Sequence, residues 1–159
     1  MKKTVALVAV VQLALVAVGV APQLSARVAG DEYQLLVQPV DPIDPFRGAY
    51  VTLDYPGLRE PGGSRPASMD DGESGDLYVT LVRKNDVWRA GEFTRTRPED
   101  GPYLSCDDRS WRIRCGIESW FVPQDEAAAL EQALADDGAI ATIKVDTRGN
   151  AALVALDPR

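Results

Sequence analysis

Leu77-Tyr78-Val79-Thr80-Leu81-Val82-Arg83-Lys84-Asn85-Asp86-Val87-Trp88 is the stretch on which the fold turns. Leu77, Val79 and Leu81 alternate with Tyr78, Thr80 and Val82, and a period of two sends the two sets to opposite faces of a strand. Asn85-Asp86 predicts a tight hairpin turn into a second strand over 87–95. The same alternation recurs on both sides of this unit. Tyr33, Leu35 and Val37 share one face, as do Ala49, Val51, Leu53 and Tyr55, with Tyr50, Thr52 and Asp54 opposite them. Toward the C-terminus, 117–122 reads as a strand, and 140–146 with 151–156 as a hairpin around Arg148-Gly149-Asn150.

A helix is expected over 124–136. Pro123 precedes it, Asp125 and Glu126 suit its first turn, Ala127, Leu130 and Leu134 form its stripe, and Gly138 stops it. Eight or so strands with one such helix predict an α+β domain that is mainly antiparallel β. One helix cannot cover both faces of so long an open sheet, so a small, partly closed barrel is the expected form. The stretch 56–76, with Pro61, Gly62, Gly63, Pro66, Gly72 and Gly75, reads as a long surface loop.

Ahead of the strands, Lys2 and Lys3 precede an apolar run from Val5 to Ala21, 17 residues broken only by Gln12. As a helix this run is ~25 Å long, close to the ~30 Å hydrocarbon core of a bilayer. A cleaved signal peptide competes with this reading. Its cut sites are poor: Pro22 follows Ala21, and Leu24 and Arg27 are too large two residues before Ala26 and Ala29. An uncleaved anchor is therefore expected, with residues 1–29 as cytoplasmic tip, transmembrane signal-anchor and tether. Residues 30–159 form an extracytoplasmic β-rich domain, since the two lysines hold the amino end inside. The tether itself is read over 22–32.

The chain of 159 residues carries 17 Lys and Arg, 24 Asp and Glu, and no histidine. Without histidine there is no Ser-His-Asp or Cys-His nucleophile system and no His-ligated zinc. An acidic chain without a basic stripe argues against nucleic acid. Leaving out Lys2 and Lys3, the part beyond the membrane has 15 positive and 24 negative charges, net −9, which predicts repulsion from anionic headgroups. Cys106 and Cys115 lie nine positions apart, and strands on either side would bring them within bridging distance. A bond closing a loop of about ten residues stabilises by ~2.7 kcal/mol in the chain-entropy model. A pair of buried thiols is the alternative.

Two blocks carry a family likeness. One runs Val37-Gln38-Pro39-Val40-Asp41-Pro42-Ile43-Asp44-Pro45-Phe46-Arg47 into Gly48-Ala49-Tyr50-Val51-Thr52-Leu53-Asp54-Tyr55. The other is Cys115-Gly116-Ile117-Glu118-Ser119-Trp120-Phe121-Val122-Pro123. Together they resemble the GDYXXLXY family of membrane-anchored bacterial proteins, with Ala49 standing where the family has aspartate. The resemblance implies an N-terminal helix, a β-rich exported domain and work beside a polytopic integral-membrane protein, hence a partner rather than a substrate. Read from the residues, Pro39, Pro42 and Pro45 fix an extended approach, Asp41 and Asp44 close turns, Arg47 reaches either carboxylate, and Gly48 permits an unusual backbone angle. Leu53 and Tyr55 enter the sheet, while Tyr50 faces outward. The functional reading makes a partner-binding surface of Asp44, Arg47 and Tyr50, with Glu118 converging on them.

Catalytic readings have weaker support. Ser68-Met69 and Gly75-Asp76 with Lys84 or Lys144 resemble a signal-peptidase serine/lysine dyad, which needs a buried lysine as base. Asp70, Asp71, Glu73 and Asp76 lack calcium-loop spacing. Trp88, Trp111 and Trp120 suit a core or rim better than a sugar platform. Asp41 with Asp44 is a turn before it is an acid/base pair. No metal or cofactor is expected. The main expectation is a non-catalytic interaction module, with the dyad hydrolase and a cleaved, exported ligand-binding domain as rivals.

Overall fold

The computed structural model describes residues 2–39, 50–59, 74–110, 112–121 and 138–159. Helix α1 spans Lys2–Ala29 and is followed by β1 (Asp31–Pro39), β2 (Tyr50–Asp54) and a single 3₁₀ turn, Pro56–Leu58. Then come β3 (Asp76–Lys84), β4 (Val87–Thr94), β5 (Tyr103–Asp107), β6 (Ser119–Phe121), β7 (Ala139–Val145) and β8 (Ala151–Pro158). This is the expected α+β class, one helix and a mostly antiparallel sheet. The helix expected over 124–136 lies outside the described residues.

Alternation decides which side chains enter the core. Leu77, Val79 and Leu81 of β3 are buried, as are Leu35 and Val37 of β1 and Ala139, Ala141, Ile143 and Val145 of β7. The β3–β4 hairpin turns on Asn85 and Asp86 at φ of 50° and 66°. Both central residues have positive φ, as the tightest hairpins require. The connected path runs β5-β3-β4-β1-β2-β6, with β7 beside β1 and β8 beside β7. Strand β1 is the hub: it pairs with β7 along Asp31 to Val37, with β2 at Gln38 and Pro39, and in parallel with β4 at Leu35 opposite Trp88.

The sheet curls without closing. Strand β5, at one end of the path, reaches the β7–β8 turn: the Ser105 N–H donates to the Gly149 carbonyl at 2.8 Å and the Tyr103 hydroxyl to the Thr147 carbonyl at 3.1 Å. Gly149 has φ +80°, and a Cβ there would lie 2.9 Å from the Ser105 nitrogen, so only glycine permits this approach. The Cys106–Cys115 disulfide is formed, and between its ends Asp107 and Arg114 exchange backbone hydrogen bonds of 2.7 and 2.8 Å.

The tether expected over 22–32 takes the form of two further helical turns. Helix α1 runs through Pro22, which lacks an N–H to donate back along the helix, and ends at Ala29. The Gly30 N–H returns to the Ala26 carbonyl at 2.9 Å, and a Cβ on Gly30 would lie 2.8 Å from the Val145 nitrogen. The foot of the helix is thus pressed onto the end of β7.

Candidate functional site

The motif and the second block come together. Register pairs Tyr50 with Phe121, Val51 with Trp120 and Thr52 with Ser119, and the Leu53 N–H donates to the Glu118 carbonyl at 2.9 Å. Leu53 and Tyr55 are both buried. The Tyr55 hydroxyl donates to the Ile117 carbonyl at 2.8 Å. Burial, and secondly the Glu118 carboxylate, push that hydroxyl far above the ordinary tyrosine range, so it stays a donor. Glu118 turns inward on its own loop, accepting from the Cys115 N–H and, at 3.1 Å, from the Gly116 N–H. Arg59 pairs with Asp54 just after the motif. Leu53, Tyr55 and Glu118 therefore act as a latch between the end of β2 and the segment that follows Cys115.

Asp41, Asp44, Arg47 and Gly48 lie outside the described residues, and Tyr50 is described by its backbone register alone. Ser68, Asp70, Asp71, Glu73 and Trp111 also lie outside them. Lys84 is exposed at the end of β3, and Lys144 faces Glu32 at 3.6 Å across the β1–β7 pairing. Neither sits in the buried, apolar pocket that a serine's lysine base needs. Trp88 packs edge-on against Tyr33 at 4.9 Å, and Trp120 lies against the core, as a core or rim role predicts.

A second cluster, missed in the sequence, joins α1 to the sheet. Asp146, at the end of β7, is buried and accepts from the Ser25 hydroxyl at 2.6 Å and the Asn150 side-chain amide at 2.9 Å. It also accepts from the backbone N–H groups of Arg148 and Asn150, at 2.9 and 3.0 Å. Burial pushes its carboxyl up, but the hydrogen bonds from Asn150, Ser25 and the two backbone groups outweigh that and hold it below the usual carboxylate range. Around it, the Arg148 guanidinium donates to the Ser25 hydroxyl at 3.1 Å, Arg27 to the Leu153 carbonyl at 3.3 Å, and Gln23 to the Gly116 carbonyl at 3.3 Å. Ala26 is fully buried beneath them. The one local signal was an Asp four residues before an Asn around Gly149, an aspartate that can cap its own turn.

Elsewhere, a shallow depression of about 540 Å³ is lined by Arg97, Pro98, Glu99, Gly101, Tyr103 and Thr147. Its arginine is engaged by the Tyr103 hydroxyl at 2.5 Å and the Thr147 carbonyl at 2.9 Å.

Fold and site together define a curled β domain built onto the foot of a long apolar helix. The chain belongs to the GDYXXLXY protein family, whose profile matches residues 12–156. No curated protein and no solved structure matches it.

Proposed function

We propose that the chain is a single-pass membrane protein whose β domain, outside the cytoplasm, is a non-catalytic interaction module for an integral-membrane partner. One observation carries this reading. Among the described residues, α1 is exposed all round from Lys3 to Leu24, while its last two turns, with Ala26 fully buried, are built into the domain. Side chains such as Val5, Leu13 and Val18, each more than 60 % exposed, need hydrocarbon or another helix around them. The docked foot also speaks against cleavage after Ala26 or Ala29, which would remove Ser25 and Ala26 from their seats. The disulfide suits an oxidising compartment.

The test is extraction and topology of the tagged full chain. Retention in alkali-washed membranes, a C-terminal reporter active only outside the cytoplasm, and recovery of a polytopic protein in mild detergent are expected. A soluble chain shortened to the mass of residues 22–159 or less, or a reporter active only in the cytosol, would overturn the anchor. Recovery of monomer alone would overturn the partner.

A further inference from the structure

We infer that the rim of the domain beside α1 sits in the headgroup layer and binds anionic phospholipid through Arg27 and Arg148. The inference rests on the membrane-anchor reading above and adds a ligand class to it.

Depth is the first argument. On the side away from the domain, α1 stays apolar beyond Ala21: Leu24 and Val28 are 56 % and 76 % exposed. From Val5 to Val28 that apolar side is ~36 Å long, whereas the hydrocarbon core is ~30 Å and the whole bilayer ~40–45 Å. The span therefore reaches into the interface over the same turns on which the domain is docked. Gln23 holds Gly116, and Ser25 holds Asp146 and Arg148. The loop at Gly116 and the β7–β8 turn are thereby fixed at headgroup level, on a helix that cannot swing away from them.

Charge is the second argument. The domain's net −9 predicts repulsion, but screening confines such fields to ~10 Å or less, so the charges on the rim decide. The Asp146 side chain is 4 % exposed and turned onto its own hydrogen-bond partners. Glu118 is likewise turned onto the Cys115 and Gly116 N–H groups. Among the described residues, the remaining carboxylates on this side are those of β1: Asp31 stands opposite Val145, and Glu32 is answered by the Lys144 ammonium at 3.6 Å, so Arg27 and Arg148 outnumber the one unanswered acid, Asp31. The Arg148 side chain is 61 % exposed, and Arg27 is exposed as well. Guanidinium groups at this depth match phosphate oxygens in geometry and charge.

The experiment places a benzophenone amino acid at Thr147 of the full chain in nanodiscs of phosphatidylcholine alone or mixed with phosphatidylglycerol. A second probe at Leu15 is the control. Expected are lipid adducts at both positions, with phosphatidylglycerol favoured over phosphatidylcholine at 147 only. That preference should fall about fivefold with each of Arg148→Gln and Arg27→Gln and survive in Arg148→Lys. Equal labelling of the two lipids at 147, or none there while Leu15 labels, would overturn the inference and leave the anchor standing. Absence of lipid adducts at Leu15 would overturn both. An Arg148→Gln variant that keeps the preference would remove Arg148 from the site.

Discussion

Two carboxylates, Glu118 and Asp146, are used in the same way over different reaches. Glu118 gathers the N–H groups of Cys115 and Gly116, within three residues of itself. Asp146 gathers its own turn and then takes the Ser25 hydroxyl from 121 positions away. The first shapes a loop inside the domain. The second makes the long apolar helix part of the domain. A carboxylate that joins distant segments carries the cooperativity of both, so the foot of α1 should matter more to stability than the latch at the family motif.

Asp146→Ala is the strongest probe of that ranking. It leaves the Ser25 hydroxyl, the Asn150 amide and two backbone donors without their acceptor, at a cost of about 3 kcal/mol. Denaturant unfolding of the full chain in detergent should show the loss, and hydrogen exchange should rise together over 23–29 and 146–150. Exchange rising at the turn alone would mean that the helix is held by Ala26 packing and not by the carboxylate.

Tyr55→Phe probes the latch with a smaller effect. The ring still fills its place in the core, but the Ile117 carbonyl loses its donor in a buried setting, which costs roughly 1–2 kcal/mol. The same unfolding assay reads it. A loss larger than that of Asp146→Ala would invert the comparison and make the motif the structural keystone.

These two sites also mark what could be read in advance. The strands were legible because burial follows a strict period of two: Leu77, Val79 and Leu81 face in, and Asn85-Asp86 turns as its residue types require. The latch was half legible, since Leu53, Tyr55 and Glu118 stood out as motif residues, though not that Tyr55 and Ile117 meet across 62 positions. The foot was not legible. Ser25, Arg27 and Gly30 read as tether because their partners, Asp146, Leu153 and Val145, arrive only when β7 and β8 pair. Nor does local pattern specify the parallel contact between Leu35 and Trp88, which depends on how the whole sheet curls.

Acidification separates the two sites most gently. The Asp146 carboxyl titrates below its unfolded value, so it stabilises the native state above the unfolded pKa of ~3.9. That contribution is lost as pH falls through the depressed folded value. The charged group facing it is Arg148, at 3.7 Å, and its other side-chain partners, Ser25 and Asn150, do not titrate. The Tyr55 hydroxyl is protonated over the whole range, so its hydrogen bond to the Ile117 carbonyl should be indifferent. Between pH 5 and 8, then, no change is expected at the foot, and below about pH 4 exchange should rise over 23–29 before it rises over 53–55. Asp146→Asn, which removes the titrating group, should abolish that order; if the foot still opened first in this variant, the acid sensitivity would belong to another carboxylate.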